Sequence, residues 1–140
     1  MQTFLPYPDF QKSAQTLDRL RLGKQRVEAM QILQTLAYGS GWKNHPAVLM
    51  WKGHEHYLIT YGKTICDEWI SRGYADTCKN KILSFSEVFD GCGEMWWLGD
   101  ERFHSSHRAA LLAKNFTYYS QFGWNEIPKL DYFWPTKERS

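Results

Sequence analysis

Apolar positions recur along most of the chain with a period near 3.6, and few stretches alternate with a period of two, so the pattern predicts a mainly α protein. Three main helices are expected, joined by short helices and ordered loops. The strongest signal runs from Leu17 to Tyr38 and stops at Gly39-Ser40-Gly41. A second long helix is predicted from about His54 to Arg72, with Leu58, Ile59, Ile65, Trp69 and Ile70 on one face and Gly73 ending it. The third spans Glu101–Lys114. Asp9 is a natural N-cap for a short helix over Phe10–Thr16, and Pro46 suits the first turn of another reaching about Lys52. Weaker helical patterns cover Lys79–Phe89 and Phe116–Phe122. The opening Met1–Pro8 carries two prolines and reads as extended. Residues 90–99, with three glycines and the pair Trp96–Trp97, read as an ordered loop, and the aromatic tail from Pro128 reads as docked.

Length and composition narrow the class. A chain of 140 residues favours a single domain over 1–140 that buries roughly two-thirds of its unfolded surface without needing metal or disulfide. The formal charge of +2 excludes an acidic solvating protein and also a histone-like coat that binds nucleic acid by net charge alone. Seven Trp, eight Tyr and eight Phe exceed what a small core requires, so some rings are expected at a surface or cleft. Three cysteines without a Cys-x-x-Cys pair argue against a disulfide framework or a cysteine-rich zinc site. The start lacks the cationic and apolar regions of an export signal, and no stretch approaches a membrane span. The expectation is a monomeric, cytoplasmic protein with no membrane partner.

Two constellations carry candidate chemistry. On the Leu17–Tyr38 helix, Arg21, Lys24, Glu28, Gln31 and Thr35 fall within a sector of about 80° at 100° per residue. The rest of that helix is apolar enough, through Leu20, Val27, Met30, Leu33 and Leu36, to predict heavy burial. One carboxylate therefore lies among cations in a narrow seam, beside Gln25 and Arg26. The same spacing also fits a solvated edge with a Lys24–Glu28 pair worth a few tenths of a kcal/mol. Gly23 costs about 1 kcal/mol in a helix interior relative to Ala, which predicts a close approach to its backbone.

The second constellation is Trp96-Trp97 followed by Arg102, His104, His107 and Arg108. Cations and imidazoles one turn apart, beside two tryptophans, suit phosphate contacts plus base stacking, and equally an aromatic core turn. His45, in Asn44-His45-Pro46, sits at a helix entrance as either a cap or a functional group. A metal site is not expected: His54 and His56 face different sides of a helix, and His-Glu-x-x-His is absent. No cofactor motif is present, since Gly-rich phosphate loops and Gly-x-Ser-x-Gly elbows are missing.

The opening Met-Gln-Thr-Phe-Leu-Pro-Tyr, together with Leu17-Asp18 and Arg21-Leu22-Gly23-Lys24-Gln25-Arg26-Val27-Glu28, resembles the pyrimidine-dimer DNA glycosylase family, whose best-known member is a phage endonuclease V. Trp51–Tyr74 looks like that family's central helix, and Trp96–Leu112 with Tyr118-Tyr119 like its last helix and aromatic tail. The resemblance implies an all-α domain that flips a nucleotide from double-stranded DNA carrying a damaged or modified base. The terminal amine attacks C1′, a Schiff base forms, and a helix glutamate assists. The chemistry is physically sound, because an α-amine has a pKa of about 7.7–8.0 whereas a lysine lies near 10.4. The best match for the glutamate is Glu28. The family's amine belongs to a small residue exposed after methionine removal, but here Gln2 follows Met1, so the amine would be that of Met1. Lys24 is the substitute nucleophile.

The resemblance thus implies Glu28, Met1 and Lys24 as catalytic residues. DNA contacts are expected from Arg21, Gln25, Arg26, His45, Trp96, Trp97, Arg102, His104, His107 and Arg108. Base excision with a possible strand-nicking lyase step is the leading reading. A non-catalytic DNA-binding protein and an N-glycosidase of modified nucleosides are its rivals.

Overall fold

Asp9 opens the first helix as expected. Its carboxylate accepts from the Lys12 N–H at 2.8 Å, and α1 runs Phe10–Thr16. In the computed structural model, which describes residues 1–91 and 93–135, helices make up 58% of the chain and no strand occurs among the described residues. The long α2 spans Arg19–Tyr38 and ends where Gly39 takes a positive φ of 82°. Pro46 starts α3, which is a single turn (Pro46–Leu49) rather than a helix to Lys52, capped by the His45 ring accepting from the Ala47 N–H. Then come α4 (Glu55–Ser71), α5 (Lys79–Ser84), α6 (Glu101–Lys114) and α7 (Phe116–Tyr119). The pattern over Lys79–Phe89 resolves into α5 and a 3-10 turn over Phe85–Glu87.

Glycines set the helix spacing. A Cβ at Gly23 would lie 3.1 Å from the Trp69 ring, and one at Gly62 would lie 3.1 Å from Ile82 and 3.4 Å from Ala29. Without side chains there, α2, α4 and α5 close against one another, which accounts for the glycine inside α2. Trp69 is itself held. Its indole packs on Tyr74 with centroids 4.4 Å apart, the Arg26 guanidinium lies 4.4 Å from its centroid, and its N–H donates to the Ala75 carbonyl.

The core is aromatic. Trp51, Trp97, Tyr61, Tyr119 and Phe103 have no exposed surface, and Trp51 meets Trp97 edge-on at 5.0 Å. Burial of α2 is less complete than its composition predicts. Leu20 is 57% exposed and Val27 37%, because α4 and the N-terminal segment cover its other sides and none of the described residues packs over these two.

Residues 2–6 form an extended strap that is buried throughout. Extended backbone outside a sheet must find hydrogen-bond partners elsewhere, since each buried group left unpaired costs about 1–3 kcal/mol. Side chains from three helices supply them. Gln25 of α2 takes the Phe4 N–H on Oε1 and donates from Nε2 to the Gln2 carbonyl, both at 2.9 Å. The Tyr61 hydroxyl of α4 lies 3.0 Å from the Phe4 carbonyl. Two histidines of α6 grip Leu5: its N–H donates to His107 Nδ1 at 2.9 Å, and its carbonyl accepts from His104 Nδ1 at 2.7 Å. Arg108 donates to the Pro6 carbonyl, and Trp51 to the Thr3 hydroxyl.

Candidate active site

The strap brings the start of the chain to the middle of α2. Met1, Gln2, Arg21, Lys24 and Glu28 line a cleft of about 320 Å3. Phe4 and Tyr132 supply its aromatic surface, and Lys114 stands at its edge. A second, mostly apolar hollow of about 380 Å3 lies across the Lys24–Glu28 ridge, between Leu20, Val27, Gly23 and Trp69.

Glu28 is the chemical centre. The Gln25 amide donates to its Oε2 at 2.7 Å, and the Gln2 backbone lies beside its carboxylate. Burial pushes its pKa above the ordinary carboxylate value. The charge of the Met1 amine, the Gln2 backbone, Lys24 and Gln25 pull the other way and leave the net shift upward. The charge of the same amine also reaches His45, whose pKa is lowered by burial first and by that amine second. The arrangement is an amine, a carboxylate and an exposed lysine around one cleft. It can attack an electrophilic carbon, carry the proton and balance developing positive charge.

Met1, Lys24, Glu28 and Arg21 are therefore brought together. Arg21 is shared with Asp18, to which it donates at 3.0 Å. Gln25 sits in the same group, but not as a DNA contact. It is 1% exposed with all its polar atoms engaged, and it holds the strap and Glu28 in place.

Other expectations are corrected by burial. Trp97 is fully enclosed with its indole N–H on the Met50 carbonyl, so it cannot stack on a base. His104 and His107 are fully buried and grip the strap. His104 accepts the Gly99 N–H on Nε2, which fixes its tautomer, while His107 must carry its proton on Nε2. Desolvation lowers both pKa values, that of His107 to about 3, so both rings are neutral. Arg108 is 11% exposed and paired with Glu101, Glu126 and the strap, and Arg26 bridges to Asp76 at 2.7 Å. Neither offers a free charge to phosphate. Trp96 is half-buried against the core, and Arg102, though exposed, is paired with Asp100 and lies over Phe133.

Sequence reasoning missed Gln2, Lys114 and Tyr132. A polar residue inside the apolar opening was a usable signal for Gln2. Lys114 and Tyr132 are assembled from distant segments and carry no local signal.

The family model for pyrimidine dimer DNA glycosylase matches residues 1–82, more than half of the chain and the part that holds Met1, Lys24 and Glu28. The chain belongs to that family. Comparison with curated proteins and with solved structures found no match.

Proposed function

We propose that the protein excises damaged pyrimidines from double-stranded DNA, with the Met1 α-amine as nucleophile at C1′ and Glu28 as the assisting carboxylate. The supporting observation is the strap. Five consecutive buried residues are held by side chains of α2, α4 and α6, and the result is an amine whose charge acts on Glu28. Attack forms an amine–C1′ bond as the base departs. Ring opening then gives a Schiff base, from which β-elimination nicks the strand. Glu28 takes the proton lost by the amine and stabilises positive charge on the sugar.

Borohydride reduction tests this directly, because only a Schiff base becomes a permanent crosslink. The expected result is a covalent adduct with DNA carrying a cyclobutane dimer or an abasic site, mapped by peptide mass to Met1. An adduct on Lys24 would move the nucleophile to that residue, which is exposed and shares the cleft. Binding to both DNAs with no adduct would favour a non-catalytic DNA-binding protein, and turnover of free nucleosides without duplex would favour an N-glycosidase.

A further inference from the structure

Of the seven tryptophans, all within the described residues, Trp42 alone is exposed, with 56% of its surface open. One exposed indole on a slack loop would carry little meaning, but this loop is tied down along its length. The Thr35 and Ser40 hydroxyls share a hydrogen bond at 2.9 Å, and Ser40 Oγ accepts from the Trp42 N–H at 3.1 Å. The Lys43 N–H donates to the Ser40 carbonyl and the His45 N–H to that of Trp42. The ring meets His45 edge-on at 5.8 Å, and His45 is held in turn by accepting from the Ala47 N–H. Two routes lead from this ring to the cleft. His45 packs edge-on against Trp134 at 6.0 Å, and Trp134 against Tyr132 of the cleft at 5.4 Å. Along α2, the stripe through Lys24 and Glu28 continues into Gln31 and Thr35, which line a hollow of about 290 Å3 together with Trp42. Thr35 lies roughly 10 Å beyond Glu28 along the helix axis, about two turns.

We infer that Trp42 is a stacking wedge for double-stranded DNA: its indole enters the gap left in the base stack when the reacting nucleotide turns out towards Glu28, and covers the face of a neighbouring base. The inference rests on the glycosylase reading above. An amine and a carboxylate in a cleft do not reach a C1′ carbon inside a duplex, so the nucleotide must leave the stack, and its departure bares two base faces. An aromatic plane covers such a face whatever the base, because every base has a π-face. The plug has to stand beside the cleft rather than in it, and Trp42 stands at the end of both routes that leave the cleft. A ring already held by its loop and by His45 enters the stack without first being ordered, so little of the stacking energy is lost in immobilising it. Trp97 is enclosed in the core and Trp96 is packed against it, which leaves Trp42 as the indole open to a base.

Two duplexes of one sequence test this, one undamaged and one in which a single pyrimidine nucleotide is replaced by tetrahydrofuran. The replacement leaves a gap in the stack and, lacking the C1′ hydroxyl, forms no Schiff base, so binding is read without chemistry. Trp42→Ala is expected to weaken binding to the gapped duplex by about 10- to 100-fold, the scale of one lost stack. Binding to the undamaged duplex should weaken much less, because it offers no bare base face. Trp42→Phe keeps a ring and should recover most of the loss, and both variants should melt as the unchanged protein does, since the side chain is largely exposed. A second measurement uses the unchanged protein. With 2-aminopurine placed on each side of the gap in turn, saturating protein should quench its fluorescence on one side, and Trp42→Ala at saturation should leave it bright. Equal weakening on the two duplexes, no weakening in a folded variant, or no quenching by the unchanged protein on either side would overturn the wedge while leaving the amine reading intact. Failure of the unchanged protein both to bind these duplexes and to trap abasic DNA with borohydride would overturn the glycosylase reading, and this inference with it.

Discussion

At the scale of single residues, Glu28 is where charge and burial conflict. Glu28→Gln keeps the shape and can still accept from Gln25, while removing the carboxylate. Turnover should fall 100- to 1,000-fold, equivalent to about 3–4 kcal/mol of transition-state stabilisation. Damaged-DNA binding should persist, and the melting temperature should hold or rise because a burial-penalised charge has gone. The pH–rate profile gives a second check. Because Glu28 loses its proton above the usual carboxylate range, activity should rise with pH along a limb displaced upward from that range, and Glu28→Gln should abolish the limb. Gly23 gives a stability counterpart. Ala is the better helix former by about 1 kcal/mol, but its methyl would press on a Trp69 ring already fixed by Tyr74 and Arg26. Gly23→Ala should therefore lower stability by about 1–3 kcal/mol, measured by denaturant melts.

The N-terminal strap dominates at the scale of elements. An extra residue or tag ahead of Met1 leaves the strap's side-chain bonds untouched but removes the primary amine from the cleft. Such a protein should melt normally and form no borohydride adduct. The strap also makes the fold acid-labile. His107 has a folded pKa of about 3 against an ordinary value near 6.5, so the unfolded chain binds more protons throughout that interval. Its contribution is intact above pH 6.5 and is lost progressively as pH falls towards 3. His104 is shifted in the same direction. Melting temperature should drop steeply over this range, and His107→Gln, which keeps an acceptor for the Leu5 N–H, should flatten the dependence.

Much of this level was legible in the chain. Asp9, Gly39, Pro46 and Gly73 mark helix limits by local chemistry, and the carboxylate stripe on α2 follows from helical spacing. The histidines were not legible as clamps. Spacing puts His104, His107 and Arg108 together on α6, but which face is covered depends on a strap about a hundred residues away in sequence. Leu20 and Val27 fail for the converse reason, since an apolar residue predicts burial only where another element arrives to cover it.

For the molecule as a whole, surface charge is more localised than the composition shows. Arg26 and Arg108 are consumed by internal ion pairs, whereas Arg19 and Lys24 border the apolar hollow and Arg21, Lys24 and Lys114 the cleft. With Arg21 held by Asp18, about three phosphate contacts from Arg19, Lys24 and Lys114 would give a log–log salt dependence of DNA binding near −3. Neutralising Lys24 or Lys114 should make that slope shallower by about one, while Arg26→Ala and Arg108→Ala should reduce stability and leave the slope in place. The abundant aromatics divide similarly. Trp51, Trp97, Tyr61 and Phe103 fill the core, and Phe4 and Tyr132 reach the cleft.

The strap also has a consequence for the order in which the protein is made. Residues 2–6 are synthesised well before α6, yet the side chains that satisfy Leu5 and Pro6 belong to residues 99 to 102 positions later. Until α6 has been synthesised, those backbone groups lack their side-chain partners, and the strap is held only by Gln25, Trp51 and Tyr61. A nascent or prematurely terminated polypeptide therefore carries the amine and the carboxylate without their alignment. On the proposed reading the cleft is completed late in translation, when the last long helix closes over the first residues.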